Sequence, residues 1–160
     1  MEFKELFTMQ QALDAFIENN RDIQRDVFIE KGLALTIELA ELANETRCFK
    51  YWSSKGPSER EVILEEFVDS IHFLLSLGNE KGFTLDIWPE IQEKVDLTKW
   101  FLRTQESILS FIQAPSSESY EIVWQQYGVL AYNLGFSLND IIEAYIAKNE
   151  KNYERQRTGY

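Results

Sequence analysis

The chain has 160 residues, 44% hydrophobic and 14% aromatic, a composition that supports one folded domain and excludes a disordered chain. Its formal net charge of −11 opposes binding to a nucleic-acid backbone, where Lys and Arg must neutralise phosphates, and no apolar run reaches the ~18 residues of a membrane span. The single cysteine, Cys48, rules out an intrachain disulfide or a CxxC motif, and Met1 to Glu5 contains no apolar signal core, so a cytoplasmic protein is expected.

Only seven Gly and three Pro interrupt the chain, and no stretch alternates polar and apolar residues long enough for a sheet, so long helices are expected. The first runs from about Phe3 to Glu18, with Leu6, Met9, Leu13, Phe16 and Ile17 on one face, and ends at Asn19-Asn20. The second covers about Asp26 to Lys50. After Ser53 to Pro57, Ser58 and Glu61 have the S-x-x-E spacing of a capping box and open a third helix reaching about Glu80. A fourth follows Gly82, from about Leu85 to Ile112 with a bend at Pro89; a fifth follows Pro115-Ser116-Ser117 and ends at Gly135; a sixth starts at Ser137 and runs toward Tyr153. The class is therefore all-α, a bundle of five to six helices. The second and fourth helices carry more apolar surface than a small bundle needs, so a homodimer is expected.

Two carboxylate pairs stand out. Glu38 and Glu41 lie in Leu33 to Ala43, where apolar side chains point in almost every direction around the helix, so the acids are expected to be partly buried and to need a cationic partner. Glu66 and Asp69 repeat the spacing on the next helix. Positions three apart project side by side, and two such helices face to face gather four carboxylates whose hard oxygens suit Mg²⁺ or Mn²⁺. Two ions about 3.5–4 Å apart would clamp a polyphosphate and activate a water. The competing reading is an ordinary solvated acidic face. It is stronger for the third helix, where Glu65, Asp69, His72 and Ser76 form a polar stripe opposite Ile63, Phe67, Ile71 and Leu74.

The C-terminal segment from Lys148 to Tyr160 supplies a second signal. Lys148, Asn152 and Arg155 share a helical face and offer two cations and an amide to a phosphate chain; the alternative is a basic helix end complementing the dipole. His72 is the only histidine, which leaves triads and His-rich metal sites little to draw on, and it reads equally well as a structural residue capped by a carboxylate.

These residues resemble the dimeric, all-α dUTP diphosphatases, within the MazG-like group of all-α nucleotide pyrophosphohydrolases. E-x-x-E and E-x-x-D mark the whole group. Met9-Gln-Gln-Ala-Leu13, Phe49-Lys-Tyr-Trp52 and the ending K-N-x-x-N-x-x-R-Q-x-x-G-Y from Lys148 through Gln156 to Tyr160 are more specific to the dUTPase branch. The resemblance implies that Glu38, Glu41, Glu66 and Asp69 hold two or more Mg²⁺ ions, with Glu38 also orienting or deprotonating the attacking water. It implies that Lys148, Asn152, Arg155 and Tyr160 close over the phosphates and that Gln10 and Asp14 line the base site. His72 and Phe73 would adjoin the deoxyribose, where Phe73 excludes a 2′-hydroxyl. Lys50 and Trp52 are further site residues, Trp52 being equally readable as core or dimer contact.

One position departs from the branch, which usually has Asn where this chain has Asp14. An ionised Asp only accepts hydrogen bonds and suits a cytosine amino group better than a uracil carbonyl, unless backbone groups read the base. The expected function is Mg²⁺-dependent conversion of dUTP to dUMP and pyrophosphate, with dUDP as a further substrate. The rivals are a dCTP or broader deoxynucleotide pyrophosphohydrolase and a non-catalytic helical dimer that binds nucleotides or a protein.

Overall fold

A computed structural model describes residues 1–160 as six helices without strands: α1 Glu5–Asn20, α2 Phe28–Thr46, α3 Arg60–Lys81, α4 Leu97–Gln113, α5 Ser117–Leu134 and α6 Leu138–Arg157. The all-α expectation holds. Helix α3 is central: it packs against α2, α6 and α1, while α4 and α5 pair and α4 also lies on α2. Contacts of Lys31 with Glu80 and of the Glu38 and Asp69 carboxyls make α2 and α3 antiparallel. Helices α1 and α6 run in the same direction, since Tyr145 meets Gln10, Phe16 meets Tyr153 and Asn20 meets Gln156.

The helix ends follow local chemistry. Gly82 and Gly135 close α3 and α5 with φ of 72° and 77°, a region in which a Cβ is penalised. Ser137 caps α6 in a reciprocal box with Asp140, and Ser116 does the same for α5 with Ser119.

Two expected boundaries are corrected. The Ser58–Glu61 capping box does not form: Ser58 Oγ donates to the Glu45 carboxylate and its N–H to Glu45 O at 3.0 Å, so α3 begins only at Arg60 and has no side-chain cap. The expected fourth helix starts twelve residues later, at Leu97, capped by Asp96 accepting from Lys99 N–H at 3.0 Å. Residues 84–96 form an irregular strap instead. Pro89 opposes a helix there, Trp88 is buried against Phe3 and Trp124, and Asn133 accepts from Val95 N–H at 3.1 Å and donates to Glu93 O at 2.7 Å.

An aromatic core of Phe67, Phe111, Tyr120, Trp124, Tyr127 and Tyr145 is fully enclosed. Tyr120 OH donates to Leu74 O at 2.6 Å, and Gly78 permits that approach, because a Cβ there would lie 2.1 Å from the hydroxyl and 2.6 Å from Phe83 O. On the outside, Ile29, Leu33 and Ile37 of α2 and Leu102 and Leu109 of α4 are exposed, as are Tyr51 and Trp52. An apolar groove beside them is lined by Leu39, Ala43, Phe49 and Phe101, among others. No helix is long and apolar enough to cross a membrane.

Candidate functional site

A cleft of about 300 Å³ opens between α1, α2, α3 and α6. Carboxyl oxygens of Glu38, Glu66 and Asp69 lie within 4.8 Å of one another at one end. The i, i+3 spacing places Glu66 and Asp69 on one face of α3, and antiparallel packing brings Glu38 of α2 opposite. Glu41 is exposed and stands outside this compact group, although its charge reaches both Glu38 and Glu66.

The electrostatics are those of an acid cluster short of cations. Burial, reinforced by the charges of Asp69 and Glu41, pushes the Glu38 carboxyl up to about 8 and Glu66 up to about 7. Asp69 is also raised, because burial outweighs the hydrogen bond and charge of Lys148. Glu38 Oε2 and Glu66 Oε2 are buried without any hydrogen-bond partner. Orphaned acceptors of this kind are costly unless a cation satisfies them, so the residues fit a hard divalent ion by donor type, by proximity and by unmet demand.

A polar network forms the cleft floor. Gln10 Oε1 accepts from Tyr145 OH at 2.8 Å and lies 2.7 Å from His72 Nδ1. Because an amide oxygen only accepts, His72 carries its proton on Nδ1, and burial, with the nearby Lys148 charge, lowers its pKa to about 3. The ring is therefore neutral, stacked on Tyr145 at 4.3 Å, with Nε2 buried and unpartnered. Gln10 Nε2 donates to Asp14 Oδ1 at 2.9 Å, and Ser76 Oγ donates to Asp14 Oδ2 at 2.6 Å. Both Asp14 oxygens are thus engaged within the protein. Burial raises the Asp14 pKa despite the bonds from Ser76 and Gln10 and the charge of Lys31.

At the far end Lys31 stands seven residues before Glu38 on the same helix, about 10 Å away along the axis. It contacts Glu80 at 2.6 Å, Glu18 at 3.7 Å and Asp14 at 3.9 Å. Leu13, Ile17, Ile23 and Val27 provide an apolar wall, so the cleft changes from acidic at the Glu38 end to mixed polar and apolar at the Lys31 end.

Of the site residues expected from sequence, Gln10, Asp14, Glu38, Asp69, His72, Phe73, Asn152 and Arg155 all line this cleft. Lys148 joins it through ion pairs with Asp69 at 2.9 Å and Glu65 at 2.7 Å. Tyr160 lies under the Arg155 guanidinium at 4.8 Å and its carbonyl accepts from Arg21. Gln156 is turned away from the cleft: its Oε1 accepts from Arg21 Nε at 3.0 Å and Asn20 Nδ2 at 3.2 Å, which ties the end of α6 to the end of α1. Lys50 and Trp52 do not line the cleft of their own chain. They lie in the α2–α3 connection, where Lys50 Nζ sits over the Phe49 ring at 5.9 Å and Trp52 packs edge-on to Tyr51.

The structure adds Lys31, Ser76 and Tyr145 to the site. Ser76 had a sequence signal, since it falls one further turn along the polar stripe of Asp69 and His72. The stripe is not a solvated face; it looks inward at α1.

A family model for dUTPase matches residues 2–160. The chain belongs to the dUTPase family. It is accordingly a dUTP-hydrolysing enzyme, with a nucleotide as substrate, and the non-catalytic reading is set aside. The family is metal-dependent. No curated protein matches the chain.

Proposed function

We propose that this dUTPase converts dUTP to dUMP and pyrophosphate using Mg²⁺, with the phosphates at the carboxylate end of the cleft and the base toward Lys31. The observation that carries this reading is the pair of buried, unpartnered carboxyl oxygens on Glu38 and Glu66 beside Asp69, with Arg155 lining the same cleft and Lys148 ion-paired to Asp69 at 2.9 Å. Glu38, Glu41, Glu66 and Asp69 would hold the metal. When bound, Mg²⁺ supplies charge stabilisation to the phosphates and a more acidic water.

The protein's own groups do the rest. Glu38 orients a water for in-line attack on the β-phosphorus and accepts its proton at the carboxylate; dUMP leaves and pyrophosphate carries the new oxygen. Lys148, Asn152 and Arg155 bind and orient the phosphate oxygens as fixed donors, and dUDP fits the same arrangement. Phe73, which lines the cleft, would leave a 2′-hydroxyl neither room nor a partner. Gln10 Nε2 makes a single hydrogen bond, to Asp14, which leaves one amide N–H to donate to a base carbonyl. With Asp14 already accepting from Gln10 and Ser76, an amide N–H directed at position 4 favours uracil, whose O4 accepts, over cytosine, whose amino group donates.

We further assign a homodimer, with the exposed α2 and α4 side chains and the Tyr51–Trp52 patch as the buried face. Substitution of Glu41 or Glu66 by Gln should abolish turnover with the helical circular dichroism intact. Substantial activity in either variant would sink the metal assignment.

A further inference from the structure

Glu65 belongs to neither carboxylate pair, yet it makes the shortest contact to the cation nearest the cluster. Lys148 has a side chain only 8% exposed and is shared between Glu65 Oε1 at 2.7 Å and Asp69, whose oxygens lie at 2.9 Å and 3.3 Å. Lys151 Nζ also reaches Glu65, at 3.5 Å. Asp69 is thus answerable to two positive charges, the ammonium and the divalent ion its position in the cluster suits. An ammonium and a metal ion compete for one carboxylate's charge, and the outcome depends on what else holds the ammonium.

We propose that Glu65 is a positioning residue: by sharing Lys148 with Asp69 it draws the ammonium partly off the cluster, which tunes metal affinity and leaves Lys148 at the lip of the site for the polyphosphate. This rests on the metal reading above. Glu65 and Asp69 are four residues apart on α3 and therefore neighbours on one face, so a Lys148 side chain arriving from α6 meets both at once. With Glu65 neutral, Lys148 would lean on Asp69 alone, weakening metal binding and withholding the ammonium from phosphate.

The test is a double-mutant cycle on the full chain, stripped with EDTA, without nucleotide, titrated with Mn²⁺ and followed by the electron paramagnetic resonance of the free ion. Glu65→Gln is expected to weaken Mn²⁺ binding about tenfold, the low end for partners of metal ligands, and Lys148→Met to tighten it. In the Lys148→Met background Glu65→Gln should change the dissociation constant by less than about threefold, since its effect passes through Lys148. Lys148→Gln is run alongside, so that the cycle closes with whichever variant folds. Kinetically, Glu65→Gln should raise KM for dUTP more than it lowers kcat, and Glu65→Asp should recover part of both.

An unchanged dissociation constant in Glu65→Gln, or a loss of the same size with and without Lys148, would overturn the proposal while leaving the metal site standing. A wild-type chain that binds no Mn²⁺ would overturn the metal reading and this proposal together.

Discussion

Replacing Glu38 by Gln should stabilise the metal-stripped protein while destroying its activity. In the fold the Glu38 carboxyl ionises only near pH 8 rather than at 4.5, through burial and then the charges of Asp69 and Glu41. At about 1.4 kcal/mol per tenfold change in proton affinity, that difference is nominally about 5 kcal/mol. Glu38 is partly solvated, so screening reduces it to about 2 kcal/mol. The sign follows from linkage: a carboxylate with a raised folded pKa keeps a proton that the unfolded chain releases, so its stability deficit grows as pH rises from 4.5 to about 8 and is constant above that. A glutamine has no such dependence. For a domain of this size about 2 kcal/mol corresponds to a Tm gain of roughly 4–8 °C. The assay is differential scanning calorimetry in EDTA at pH 4.5 and pH 9, wild type against Glu38→Gln. The variant should melt higher at pH 9 and equal to wild type at pH 4.5. A lower or unchanged Tm at pH 9 would refute the electrostatic account of the cluster.

Three other outcomes are expected. Gly78→Ala forces a Cβ to 2.1 Å from Tyr120 OH and 2.6 Å from Phe83 O; the second is backbone and cannot simply swing away, so a loss of about 3 kcal/mol and a Tm drop of roughly 6–12 °C should appear in a thermal melt, and a neutral result would contradict the packing. Asp14→Asn should alter kcat/KM for dUTP by less than about threefold, because Ser76 can rotate its hydroxyl to suit an amide; a swing of tenfold or more between dUTP and dCTP would show that Asp14 reads the base directly. Leu33→Glu with Leu102→Glu should convert the proposed homodimer to a helical monomer in sedimentation equilibrium, and a wild-type chain already sedimenting as a monomer would contradict the assigned interface.

Much of this architecture is legible in residue spacing, and the exceptions have identifiable causes. The carboxylate cluster follows from i, i+3 pairs on successive helices, a local rule that antiparallel packing of α2 and α3 converts into a site. Gly82, Gly135 and Ser137 end or start their helices as local propensity directs. The Ser58–Glu61 box satisfied the same kind of rule and failed because Glu45, distant in sequence, claims the Ser58 hydroxyl. The late start of α4 has a tertiary origin too: Trp88 is drawn into the core and Asn133 holds the strap, so Pro89 marks a departure from helix rather than a bend within one.

The α1 wall of the cleft was accessible only through family resemblance, since Gln10 and Asp14 on an amphipathic helix carry no chemical signature alone. Lys31 was not legible at all. Its significance lies in meeting acids from α1 and α3, which no spacing along α2 encodes. Gln156 sits within a recognisable motif, yet packing turns it toward Asn20 and Arg21, so it braces the helix end that presents Arg155.

The most direct test of the central claim is pyrophosphate release in Mg²⁺ from dUTP, dCTP, dTTP, dATP, dGTP and UTP, with Glu66→Gln measured in parallel. The account predicts release from dUTP well above the other five, accompanied by dUMP and absent in the variant. Release from none of them, equal release by Glu66→Gln, or a preference for dCTP would contradict it.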